Sequence, residues 1–125
     1  MRAIVIDDSR AMRMIVRRVL AGLDFECVEA SDGRDALAKL EAMPVPALAV
    51  VDWNMPNMTG YEFVQHARKI AAFDAIRIVM VTTEVEMERV AAALAAGADD
   101  YLMKPFTADA LADKVRTLIP CKVAS

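Results

Sequence analysis

The sequence predicts a doubly wound α/β sandwich, a five-stranded parallel sheet with five helices divided between its two faces in three layers. Two observations lead there. Short apolar runs alternate in order along the 125 residues with longer segments whose apolar residues recur at helical spacing. Most of the runs are continuously apolar, as strands covered on both faces are, and right-handed crossovers then carry each helix over one side or the other. A third observation concerns chemistry: AIVI stops at Asp7-Asp8, ALAVV at Asp52, IRIVMV at Thr82-Thr83 and DDYLM at Lys104-Pro105. In a parallel sheet these ends converge beyond one edge, where such folds bind ligands.

Strands are expected at residues 3–7, 25–30, 47–52, 77–82 and 100–103. The second, FECVEA, is interrupted by Glu26 and Glu29 and belongs at or near a sheet edge. The first helix follows from Met12, Ile15, Val16, Val19 and Leu20, with Ser9 as its N-cap. Gly33, Ala36, Leu37 and Leu40 mark the second, after Ser31 or Asp32. Phe63, Val64, Ala67 and Ile70 mark the third. Met87, Val90, Ala91, Leu94 and Ala95 form the inward stripe of the fourth, closed by Gly97. Leu111, Val115 and Leu118 define the fifth, stopped by Pro120.

Composition restricts the function. A chain of this length fits one domain, with 57% hydrophobic residues to fill a core and nothing after Ser125 for an output domain. A net charge of -3 argues against nucleic acid as a partner. No apolar stretch approaches a membrane span, and no signal-peptide pattern opens the chain, so a cytoplasmic protein is expected. Cys27 and Cys121 have no metal-ligand spacing and read as free thiols. His66, the one histidine, falls in a helix away from the strand ends. The nine methionines read as adaptable core packing, with Met87 left open because it begins the fourth helix.

Asp7, Asp8 and Asp52 brought within a few ångströms repel one another unless a cation offsets their charge. Oxygen-only donors select a hard ion, and a shallow cleft with room for water favours Mg2+. Lys104 in the same place is poorly explained by metal binding alone. It would instead neutralise the oxygens of a phosphoryl group on Asp52, with the Thr82 hydroxyl donating to another of them.

The motifs VIDDS (5–9), VVDWNMPNMTG (50–60), VTTE (81–84) and GADDYLMKPF (97–106) together resemble the receiver domains of bacterial two-component response regulators, which have a flavodoxin-like fold. Trp53, Asn54, Glu84 and Tyr101 make the likeness strongest to the stand-alone, CheY-like chemotaxis type. The resemblance implies that Asp52 accepts phosphate from a histidine kinase or phosphotransfer domain. It also implies that Asp8, Asp52 and the Asn54 carbonyl hold Mg2+, with Asp7 acting through water. Lys104 and Thr82 would contact the phosphoryl group, and Tyr101 would follow Thr82 inward to alter the face of helix 4, strand 5 and helix 5. Asn54 and Glu84 would tune dephosphorylation, and Thr83, larger than the family's usual small residue, would narrow access. A cis Lys104–Pro105 bond is implied as well. The implied partners are the kinase, a downstream protein such as a flagellar motor switch protein, and a phosphatase, all met by a monomer.

Two other functions share these acids: a phosphotransfer intermediate or phosphate sink, and an Mg2+-dependent phosphohydrolase, for which no insertion supplies a substrate cap. Arg10, Arg13 and Arg17 share one face of the first helix, either as a solvated face or as a basic docking patch.

Overall fold

The computed structural model describes residues 1–119, excluding the side chains of residues 84–86. The expectations for Pro120 and Cys121, and for the side chain of Glu84, therefore lie outside the described residues. Strands β1 (Arg2–Ile6), β2 (Glu26–Ala30), β3 (Leu48–Asp52), β4 (Arg77–Thr82) and β5 (Asp100–Met103) form one parallel sheet in the order β2-β1-β3-β4-β5. Helices α1 (Arg10–Ala21), α2 (Gly33–Ala42), α3 (Gly60–Ala67) and α4 (Val90–Ala96) make the four crossovers, and α5 (Ala108–Leu118) follows β5. β2 lies at the edge, as its two glutamates imply.

Alternate residues of each central strand feed two cores. Ile4, Ile6, Val51, Ile78 and Met80 pack with Leu40 of α2, Phe63 and Val64 of α3 and Ala93 of α4. Ala3, Val5, Val50, Val79 and Val81 pack on the other face with Val16 and Leu20 of α1 and Leu111 and Val115 of α5. The helices thus divide two and three around the sheet.

Local signals start and stop the helices. The Met12 amide donates to Ser9 Oγ at 3.2 Å at the start of α1, and the Asp35 amide to Asp32 Oδ1 at 2.8 Å for α2, which selects Asp32 over Ser31 as its cap. Thr59 and Glu62 form a reciprocal capping box on α3. Gly97 ends α4 at φ 124°, a conformation that side chains resist.

Two helix faces differ from expectation. α4 begins only at Val90, after a 3-10 segment over Glu84–Arg89, and it buries Val90 and Ala93 while Ala91, Leu94 and Ala95 face outward. In AAALAA, small residues on every side give little contrast to fix the phase. On α1, Ile15 is 49% exposed, because Val16 and Leu20 already fill the sheet-facing side. Ile70, also read as apolar stripe, lies beyond the end of α3 and is exposed.

Strand order reverses direction at β1, with β2 on one side and β3 on the other. The carboxyl ends of β1 and β3 therefore open into a crevice between diverging crossovers. Arg68 fastens the opposite edge. Its Nε donates to Gly97 O at 2.9 Å, Nη1 to Phe73 O at 2.8 Å, and Nη2 to Ile76 O at 2.6 Å and Asp99 Oδ2 at 3.2 Å. Asp99 Oδ2 also accepts from the Ile78 amide at 2.8 Å, so one guanidinium joins α3, the start of β4 and the end of α4.

Candidate functional site

β1 and β3 carry their last residues to the crevice as acids. Asp7 follows β1 and donates its amide to Ala30 O at 3.1 Å, while Asp52 is the final residue of β3. Asp7 and Asp52 are buried and Asp8 is exposed. Their three side chains offer carboxylate oxygens that all lie within 4.8 Å of one another. β5 brings in the counter-charge: the Lys104 amide donates to Thr82 O at 2.6 Å, continuing the β4–β5 pairing, and Lys104 Nζ lies 3.1 Å from Asp52 Oδ1. The Lys104–Pro105 bond is cis. Four sequence-predicted groups, Asp7, Asp8, Asp52 and Lys104, thus share one crevice. The apolar-walled cavity of about 660 Å3 at the amino-terminal edge, around Arg2, Pro46 and Arg77, contains none of them.

The electrostatics of this cluster favour a cation. Burial pushes the Asp7 carboxyl up to about 6, and the charges of Asp52 and Asp8 add to the rise, against the Ser9 amide and Lys104. One lysine leaves the trio short of positive charge. Hard oxygen donors, one of them solvent-exposed for entry, fit a divalent cation such as Mg2+.

The raised value has a stability consequence for the protein in chelator. The native carboxyl holds its proton to higher pH than the unfolded one, so between pH 4 and pH 6 the native state binds more protons. Stability is therefore expected to fall as pH rises through this window, by up to roughly 3 kcal/mol from this group. Urea unfolding at pH 4.5 and pH 7 should show the drop for the native sequence and a smaller one for Asp7→Asn. Equal drops would remove Asp7 as the cause.

Gly60 sets the position of Asp52 and was not singled out by the sequence. Its amide donates to Trp53 O at 2.8 Å, and a Cβ built on it would lie 2.3 Å from Asp52 O and 3.0 Å from Trp53 Cα. No side chain fits where the backbone of α3 meets the end of β3. Gly60→Ala is expected to destabilise by about 1–3 kcal/mol, read as a lower urea midpoint with unchanged slope.

Thr82 is fully buried, and its hydroxyl donates to Met87 Sδ at 3.6 Å. Thr83 and Asn54 are exposed beside the crevice. Tyr101 is half-buried, with Lys114 Nζ 5.0 Å from its ring centroid and the same ammonium 3.0 Å from Asp100 Oδ1. Trp53 is buried in the core and stacks on Tyr61 with centroids 5.8 Å apart. Asn57, also missed, adopts φ 66° and donates from Nδ2 to Asp32 Oδ2 at 2.9 Å, tying the β3–α3 loop to the α2 cap. The Pro-Asn sequence of a turn is a signal that could have found it.

The three arginines of α1 do not form one free patch. Arg13 and Arg17 grip Glu29 of β2 at 2.9 and 2.6 Å, and Arg13 Nη1 also donates to the Asp7 carbonyl. Burial alone would push the Glu29 carboxyl up, but the two guanidinium groups outweigh it and hold the carboxyl below its ordinary value. Arg10 alone of the three makes no such contact among the described residues. Cys27 is a free, half-buried thiol whose pKa burial pushes up, away from reactivity. His66 is exposed at the end of α3, outside the acid cluster.

Comparisons with known proteins bear on the family and the fold. The family described as response regulator receiver domain matches residues 3–116. The chain is 39% identical over 120 residues to the chemotaxis protein CheY1 of Helicobacter pylori, covering 95% of this chain and 97% of that one. It is 37% identical over 120 residues to a CheY homolog of Campylobacter jejuni, covering 95% and 92%. The structure of the Vibrio cholerae chemotaxis protein CheY4 superposes with a TM-score of 0.87 at 34% identity, covering 94% of this chain and 98% of that one. No helix among the described residues is long and apolar enough to cross a membrane. The chain belongs to the response regulator receiver domain family and is CheY-like, one of a class of phosphorylation-dependent signalling domains rather than classical enzymes.

Proposed function

We propose that the protein accepts a phosphoryl group on Asp52 from a histidine kinase or phosphotransfer domain and signals by binding a partner protein. The observation that carries this reading is Lys104 Nζ, 3.1 Å from a carboxylate that also belongs to a cluster of three. A metal site gains nothing from an ammonium inside it, whereas a carboxylate about to carry three more oxygens does.

In this reading an Asp52 carboxylate oxygen attacks the phosphorus of a phosphohistidine, the P–N bond breaks, and the imidazole leaves with the kinase. Asp8, Asp52 and the Asn54 carbonyl would hold Mg2+, with Asp7 acting through water, and the ion would supply charge neutralisation at the acidic cluster. Lys104 stays with Asp52 and pairs with one of the new oxygens, and the Thr82 hydroxyl turns to another. Tyr101 then leaves its half-buried place against Lys114 and moves inward, so the surface of α4, β5 and α5 changes for whatever protein reads it. A flagellar motor switch protein is the partner type this implies. Asn54 and Thr83, exposed beside the crevice, flank the approach of water or a phosphatase and, with Glu84 as the resemblance implies, set the lifetime of the mark. The receiver domain works as a monomer in the cytoplasm.

Acetyl phosphate supplies the test, because it donates without a kinase. With Mg2+, intact mass should show one phosphoryl adduct, and Trp53 fluorescence should change as it forms; EDTA should prevent both. Absence of any adduct overturns the reading. A phosphate sink would give the same adduct but no partner whose affinity changes with it, and sustained turnover of phosphate esters would identify a phosphohydrolase instead.

A further inference from the structure

A buried hydroxyl needs a hydrogen-bond partner, and Thr82 has no exposed surface through which water could serve. Its hydroxyl donates to Met87 Sδ, 3.6 Å away, in the 3-10 segment that follows β4. A thioether is a weak acceptor, whereas a phosphoryl oxygen is charged and accepts strongly. We propose that Met87 is a positioning residue of the switch, whose thioether holds the Thr82 hydroxyl in the resting orientation and yields it when a phosphoryl oxygen appears on Asp52. This rests on the assignment of Asp52 as phosphoacceptor.

The strength of the acceptor at position 87 then sets the resting balance. With no acceptor there, the buried hydroxyl is left unsatisfied at rest, the resting state rises in free energy, and the switched state needs less help from the phosphoryl group. With a stronger acceptor, the resting state falls and the hydroxyl is harder to draw away. Methionine lies between these limits, satisfying the hydroxyl while releasing it readily. The contact depends on the 3-10 geometry, since it joins residues five apart across the turn that ends β4.

Two substitutions of similar volume push in opposite directions. Met87→Leu keeps the packing and removes the acceptor, and Met87→Gln replaces it with an amide oxygen. The readout is the midpoint of a beryllofluoride titration with Mg2+, followed by Trp53 fluorescence, beryllofluoride being a mimic of the phosphoryl group. Leucine is expected to tighten binding roughly two- to ten-fold and glutamine to weaken it by a similar factor. Both effects should vanish in a Thr82→Val background, which has no hydroxyl to position, and survive in Thr82→Ser, which has one. In native protein labelled at its methionine methyl groups with carbon-13, the Met87 resonance should also shift as beryllofluoride binds. Shifts of the midpoint in the same direction, shifts that persist in Thr82→Val, or an unmoved Met87 resonance would overturn the proposal and leave phosphate acceptance standing. Failure of the native protein to respond to beryllofluoride would overturn both.

Discussion

Asp52→Asn is expected to abolish the phosphoryl adduct completely while leaving the protein folded. A carboxamide cannot form the acyl phosphate, so no adduct should appear by intact mass at any acetyl phosphate concentration. Affinity for Mg2+ should fall by at least on the order of ten-fold, because a charged donor leaves the trio. Stability should change by only about 1 kcal/mol: Lys104 loses its partner, but it is 25% exposed and reaches water. The Asp7 carboxyl should titrate below its native value of about 6, since the Asp52 charge contributes to that rise, yet remain elevated, since burial is the larger cause. An adduct that persists in the variant would place the acceptor elsewhere.

The largest expected effect on stability comes from the opposite edge of the sheet. Arg68→Ala removes the donor to the carbonyls of Gly97, Phe73 and Ile76 and the nearer of two arginines paired with Asp99, with the arginine side chain only 16% exposed. A loss of roughly 3–5 kcal/mol is expected, on the order of 10–20 °C in Tm. Arg68→Lys should recover little, because one ammonium cannot reproduce a planar fork aimed in several directions. Below its lower Tm the variant should still form the adduct, since the clamp lies away from the carboxyl ends of β1 and β3. A melting temperature within a few degrees of the native one would show that water satisfies these carbonyls equally well.

The contrast between these two sites explains what the sequence could and could not disclose. Asp7, Asp8, Asp52, Thr82 and Lys104 were visible because each ends or follows an apolar run, and a parallel sheet forces such ends together. The edge position of β2 was visible in Glu26 and Glu29 for the same local reason. Arg68 gave no such signal: its carbonyl partners carry no side-chain signature and are distributed over residues 73–97. Gly60 likewise acts through a backbone approach, and Met87 through a contact that an unbroken helix from residue 87 would not have suggested. Arg13 and Arg17 looked like a surface feature only because Glu29 lies on another element. The phase of α4 failed for a different reason, the near-uniform size of its alanines, which leaves the sheet beneath to choose the face.

The close fit of Gly60 against Asp52 gives the crevice one rigid wall. β3 is held at its end by the Gly60 amide on Trp53 O, by the Trp53 amide on Val81 O at 3.0 Å, and by backbone contact that admits no extra atom. On the far side, Thr82 is retained by a thioether and Tyr101 is only half-buried. In the proposed function a phosphoryl group on Asp52 would act as a wedge between an anvil and a hinge. Displacement would go toward Thr82 and Tyr101 because the α3 side is closed, and the polarity of the signal would then be set by a glycine that touches neither phosphate nor partner.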